Sequence, residues 1–94
     1  VDYAASKAAI DTLTIGLARE VAKEGIRVNA VRPGFIDTEI HQSGREPDRM
    51  ERVRPLVPMK RVGQVDEVAD AIMWLLSDKA SYTTGTILDV SGGR

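Results

Sequence analysis

Gly25-Ile26-Arg27-Val28-Asn29-Ala30-Val31-Arg32-Pro33-Gly34 is where a helical chain turns into a sheet-forming one. Ile26 to Val31 is β-rich and is bounded by Gly25 on one side and Pro33-Gly34 on the other, which predicts a strand. Asn29 within it must find polar partners if buried, and its expected role is structural, bonding to neighbouring backbone. Upstream, Asp2 to Glu24 reads as a helix. Ile10, Leu13, Leu17 and Val21 follow one another at three, four and four residues, a core-facing stripe. Asp2 is placed as its N-cap, and Gly25 stands where a helix C-terminus takes a left-handed residue. A second stripe, Ala8, Thr12, Ile15, Arg19 and Ala22, is mostly small. It suits the close approach of another helix, or a plain surface face.

Downstream, Pro33 to Thr38 leaves the strand's carboxyl end as a loop, the end at which open parallel sheets bind ligands. Glu39 to Gly63 is irregular, with prolines at 47, 55 and 58. A short helix is predicted near Pro47–Val53, Pro47 suiting its first position and Pro55 ending it. A connection this long reads as a functional lid or a partly disordered segment. Its charges leave a net +2, which mildly favours a polar or anionic substrate, although mixed charge also fits a solvated face. A second helix is expected from Val65 or Asp66 to Leu76. Asp66 and Glu67 suit its first turn, and Val68, Ala69, Ile72, Leu75 and Leu76 form its apolar face. Trp74 lies off that stripe, which hints at burial against another chain or another element. Thr86 to Val90 reads as a second buried-type strand.

Two strands separated by a helix should be parallel, joined by a right-handed crossover. The expected architecture is therefore α/β, helix–strand–lid–helix–strand. Two strands make no stable doubly wound sheet, so this piece needs more sheet than it contains. Val1 in place of an initiator methionine, with the helical pattern starting at once, likewise predicts a part of something longer.

At 94 residues, 43% apolar and 29% charged, the chain has the composition of one ordinary soluble domain. About two-thirds of the surface of a chain this size is buried on folding, so its core is thin. A net charge of −1 gives no reason to expect nucleic acid or an anionic membrane as partner. The chain has no cysteine and one histidine, His41. Disulfides are excluded, a zinc site is improbable, and a reducing cytoplasm fits. Ala71 to Leu76, the longest apolar run, is too short to span a bilayer.

Chemistry enters at Val1-Asp2-Tyr3-Ala4-Ala5-Ser6-Lys7. On a helix, Tyr3 and Lys7 leave the same face one turn apart. A phenol beside an ammonium group makes a proton donor and acceptor for a C–O centre. Tyrosine titrates near ~10, so acting as a base near neutrality needs a drop of about three units, or about 4 kcal/mol. A lysine charge at ~6 Å with an effective dielectric of ~20 supplies about 2.8 kcal/mol, roughly two units. A further donor or positive charge must supply the rest. The spacing alone also fits a buried tyrosine and a solvated lysine on a surface helix.

Tyr3-Ala4-Ala5-Ser6-Lys7, Arg27 to Gly34, Asp37-Thr38, Thr84-Gly85 and Asp89-Val90-Ser91-Gly92-Gly93 occur in an order that resembles the C-terminal part of the classical short-chain dehydrogenase/reductase family. The likeness covers essentially the whole chain and is greatest to bacterial glucose 1-dehydrogenase-like and 3-oxoacyl-carrier-protein-reductase-like members. It implies the C-terminal part of a Rossmann-type doubly wound parallel sheet, with residues 1–94 one segment of a single NAD(P)-binding domain and 39–62 its substrate-binding loop. It also implies a hydride transfer between NAD or NADP and an alcohol or carbonyl substrate. Tyr3 matches the catalytic tyrosine. Lys7 matches the lysine that lowers the tyrosine's pKa and holds the nicotinamide ribose. Pro33 and Gly34 match the turn lining the nicotinamide pocket, Ile36 stands where backbone meets the carboxamide, and Thr38 matches a hydroxyl on the carboxamide or pyrophosphate. A cytoplasmic homo-oligomer, tetramer or dimer, is the family's habit. The glycine-rich phosphate loop, the selector between NAD and NADP and the catalytic serine have no match in this chain, so these residues alone are expected to be inactive. The rival reading is a non-catalytic binding or assembly module of the same fold.

Overall fold

The computed structural model describes residues 3–38 and 49–94. Helix α1 spans Tyr3–Val21 and continues as a 3₁₀ turn, Ala22–Glu24, closed by Gly25 at φ 81°, whose N–H bonds back to the Ala22 carbonyl. This is the left-handed stop expected of a glycine there. The expected N-cap, Asp2, lies outside the described residues. Strand β1 is Ala30–Pro33, β2 is Ile36–Asp37 and α2 is Arg49–Val53. A 3₁₀ turn at Arg54–Leu56 carries Pro55 in its first positions. Strand β3 is Gly63–Gln64, α3 is Val65–Leu76, and a 3₁₀ turn at Asp78–Ala80 leads to β4, Ile87–Val90. The fold is α/β with parallel strand pairs, part of a Rossmann-type sheet. Strand β1 pairs with β4, and β2 with β3.

The chain forms two compact units, residues 1–30 with 74–88, and residues 31–73 with 89–94. In the first, the expected strand at Ile26–Val31 begins only at Ala30. Beside 83–86 the backbone keeps two bonds, from the Gly85 N–H to the Val28 carbonyl at 2.8 Å and from the Ala30 N–H to the Thr86 carbonyl at 2.9 Å, and side chains supply the others. The Thr84 hydroxyl accepts from the Val28 N–H at 3.0 Å. The Asn29 amide donates to the Thr83 carbonyl at 3.1 Å and accepts from the Thr86 N–H at 3.0 Å. Asn29 thus has the structural role expected of it. Arg27 donates to the carbonyls of Leu75 at 2.7 Å and Ser77 at 3.3 Å, satisfying carbonyls at the end of α3 that no further helical turn can reach.

The apolar stripe expected on α1 is not the one it buries. Thr14 and Ala18 are buried, whereas Ile10, Leu13 and Leu17 stand 58%, 67% and 41% exposed. Gly85 explains the choice: a Cβ there would lie 3.5 Å from that of Ala18, so the helix presents its small residues to the chain that crosses it. On α3 only Leu75 of the expected apolar face is buried, and Ile72 and Leu76 are exposed. Their burial requires a surface these units do not provide.

Among the described residues of the second unit, Val57 is the one fully buried. The Pro33-Gly34 turn carries the Gly34 N–H onto the Val90 carbonyl at 3.0 Å. A Cβ on Gly34 would stand 2.9 Å from Ser91 Cα, so only glycine fits between those backbones. Segments expected as loop, Ile36–Asp37 and Gly63–Gln64, form the short parallel pair β2–β3, with Ile36 opposite Gly63 and Asp37 opposite Gln64. The short helix expected near Pro47–Val53 is present as α2 over its described part; Pro47 lies outside the described residues. Among the described residues no helix is long and apolar enough to cross a membrane.

Candidate active site

In the first unit, the helix geometry that places residues i and i+4 on one face brings Tyr3 and Lys7 together. The Lys7 Nζ lies 5.2 Å from the centre of the Tyr3 ring. Tyr3 is 76% exposed and Lys7 is half-buried. The phenol is therefore open to a ligand, with a cation within reach of its ring.

In the second unit, Gly34, Ile36 and Thr38 line one hollow of about 170 Å³ together with Phe35, Arg49 and Met50. Pro33 precedes it at the exposed end of β1. Pairing with β3 determines what Ile36 offers there. The Gly63 N–H donates to the Phe35 carbonyl at 2.9 Å. In a parallel ladder only alternate residues of a strand bond to a given neighbour. The N–H and C=O of Ile36 consequently point to the edge of β2 away from β3. A donor and an acceptor side by side on a strand edge can complement a primary carboxamide. The residues present fit the nicotinamide end of a dinucleotide.

A larger hollow in the same unit, about 470 Å³, is lined by Phe35, Ile36, Met59, Arg61, Glu67 and the 89–94 segment. Arg61 forks onto Glu67 with two bonds of 2.8 Å, and the Glu67 carboxylate also accepts the Gln64 N–H at 2.9 Å. These bonds hold its carboxyl down to about 2, the Arg61 guanidinium first and the Gln64 N–H second. Arg94 lies over the Phe35 ring at 4.9 Å, and Arg32 pairs with Asp89 at 3.3 Å. Sequence reasoning did not foresee Arg49 lining the smaller hollow or the Arg61–Glu67 fork. The signals available were the positive excess of the 39–62 loop and the acidic first turn of α3. His41 and residues 39–48 of that loop lie outside the described residues.

The first unit thus presents an exposed phenol beside an ammonium group, and the second a strand edge at Ile36 beside a hollow. The whole chain, residues 1–94, matches the family model of the enoyl-(acyl carrier protein) reductases, and it belongs to the short-chain dehydrogenase/reductase family. Among its relatives is the uncharacterized oxidoreductase YgfF of Escherichia coli strain K12, 67% identical over 94 residues, which are all of this chain and 38% of YgfF. The 3beta-hydroxysteroid dehydrogenase 1 of Eggerthella lenta is 50% identical over 93 residues, 98% of this chain and 36% of that protein. A crystal structure of a 3-oxoacyl-[acyl-carrier protein] reductase with bound NAD from Brucella melitensis superposes with a TM-score of 0.82 at 44% identity, covering 97% of this chain and 32% of that one. The chain thus spans about a third of the length of the relatives it matches.

Proposed function

We propose that these residues are the tyrosine- and lysine-bearing segment of a single NAD(P)-binding domain in an oxidoreductase as long as its relatives, acting on a small alcohol or carbonyl compound. The observation that carries the reading is Tyr3, exposed and one helical turn from the Lys7 ammonium. When bound, a nicotinamide cofactor would supply hydride acceptance from an alcohol carbon, or hydride donation to a carbonyl carbon. Tyr3 takes the hydroxyl proton in the first direction and gives it back in the second. Lys7 favours negative charge on the phenolic oxygen as that proton leaves, and holds the ribose hydroxyls. Pro33 and Gly34 shape the turn beside the ring, the Ile36 backbone meets the carboxamide, and Thr38 supplies a hydroxyl to the carboxamide or pyrophosphate. Residues 39–62 form the substrate-binding loop. The NAD-bound relative supports the cofactor class, and the relatives' differing substrates leave the loop to select the compound.

Because 94 residues span 38% of YgfF, this segment alone should neither retain a dinucleotide nor turn over substrate. In the full-length enzyme, Tyr3→Phe should lower kcat by about 10²–10⁴-fold, the usual worth of a general acid–base group. Cofactor affinity, followed by fluorescence titration, should stay within about twofold, since the ring and its neighbours remain. A variant that turns over like the parent enzyme would remove Tyr3 from the chemistry.

A second reading has its own observation. The exposed Ile10, Leu13 and Leu17 on α1, with Trp74 at 44% and Tyr82 fully exposed, form apolar surface suited to further protein. It supports a homo-oligomer, dimer or tetramer, of a cytoplasmic enzyme, and equally a non-catalytic assembly module of the same fold. Dinucleotide binding by the full-length protein separates the two.

A further inference from the structure

We propose that Arg61 and Glu67 form a positioning clamp for the nicotinamide end of the cofactor, acting through β3 and β2 on the backbone at Ile36. Strands β2 and β3 have two residues each, too few for a parallel pair to hold itself in register. What holds β3 is the start of α3. Glu67, in that first turn, takes the Gln64 N–H on Oε1 at 2.9 Å, and the Arg61 fork locks the same carboxylate from the other side, 2.8 Å to each oxygen. Gln64 lies opposite Asp37, and Gly63 opposite Ile36. Gly63 also sits so close to Ile36 that an added Cβ would stand 2.9 Å from Ile36 Cδ1. The position of β3 is thereby passed to Ile36 through side chain and ladder together.

Stability alone does not account for this arrangement. The two side chains are 51% and 41% exposed, and an isolated ion pair at such a site is worth little. A bidentate fork adds geometric definition more than energy. That definition is what a strand edge needs if it is to meet a carboxamide, where a displacement of about 1 Å can cost as much as 10²-fold. Arg61 also ends the 39–62 loop, so the same fork anchors the loop's return to the fold.

The inference rests on the reading of Ile36 and its neighbours as cofactor-binding, and two measurements on the full-length protein separate the two claims. In the absence of cofactor, amide hydrogen exchange is compared between the parent and Arg61→Lys, which keeps the charge but loses the fork, and Glu67→Gln. Exchange across 35–37 and 63–65 should quicken by about tenfold in both variants while α1 is unchanged, as expected of a local opening. Unchanged exchange in those segments overturns the clamp whatever the cofactor does. NAD⁺ or NADP⁺, whichever the parent binds, and the matching ADP-ribose half are then titrated by calorimetry. The dinucleotide should weaken by about five- to tenfold in both variants, and the half lacking nicotinamide by less than about twofold. Equal weakening of both ligands, or of neither, overturns the inference. A parent protein that binds no dinucleotide overturns the cofactor reading, and with it the clamp's role toward nicotinamide, even where the exchange result stands.

Discussion

Asn29 does with one side chain what two backbone groups would do in a regular ladder. Its amide bonds the Thr83 carbonyl and the Thr86 N–H at the place where residues 28 and 29 run beside 83–86 before β1 begins. Asn29→Ala would strip both partners at once. Leaving part-buried groups unsatisfied costs about 1–3 kcal/mol, and urea unfolding should show a loss of that size. Asn29→Asp should do no better, because a carboxylate keeps the bond from Thr86 but faces the Thr83 oxygen with its own charge. Tyr3 behaves differently at this scale: it is exposed and holds nothing in place, so its replacement should affect chemistry and leave stability alone.

Elements explain which stripe of a helix counts. Helix α1 buries Thr14 and Ala18 because a close crossing at Gly85 requires short side chains, and it leaves its larger apolar residues outside. Helix α3 is defined at both ends by side chains: Glu67 on the Gln64 N–H at its start, Arg27 on the Leu75 carbonyl at its finish. The first of these is pH-dependent. The Glu67 carboxyl lies at about 2 in the folded protein, against an ordinary value of 4.5. A carboxylate depressed by folding contributes stability above its unfolded value, and that contribution disappears as pH falls through the folded one. The parent should therefore lose this stability between about pH 5 and pH 2. Because the pair is exposed and worth little, Glu67→Gln should be only slightly less stable at neutral pH and show a slightly shallower acid limb in thermal melts over the same window.

At the scale of the molecule, the question is what covers the apolar surface. Leu13 is 67% exposed, so Leu13→Glu should change the stability of this 94-residue chain by no more than about 0.5 kcal/mol, as for an ordinary surface position. In the full-length protein, if the proposed homo-oligomer is joined through α1, the same substitution should shift native mass spectra toward smaller assemblies, since an ionised side chain would be buried without a partner. Unchanged assembly there would mean that this face of α1 is not the one that joins subunits.

The sequence by itself determined what depends on near neighbours along the chain. Helix periodicity, the left-handed stop at Gly25 and the four-residue interval that unites Tyr3 with Lys7 are local geometry, legible without a fold. The order of motifs likewise sufficed to place the family. Tertiary structure alone decided which helix faces are covered, that Asn29 and Thr84 add side-chain bonds to the backbone ones beside 83–86, and that Ile36–Asp37 and Gly63–Gln64 pair. Two-residue strands carry no periodicity, and burial belongs to the surface a residue meets. The strand edge at Ile36 therefore exists only once Ile36–Asp37 and Gly63–Gln64, far apart in sequence, have been brought into register, whereas the Arg61–Glu67 fork joins residues six apart.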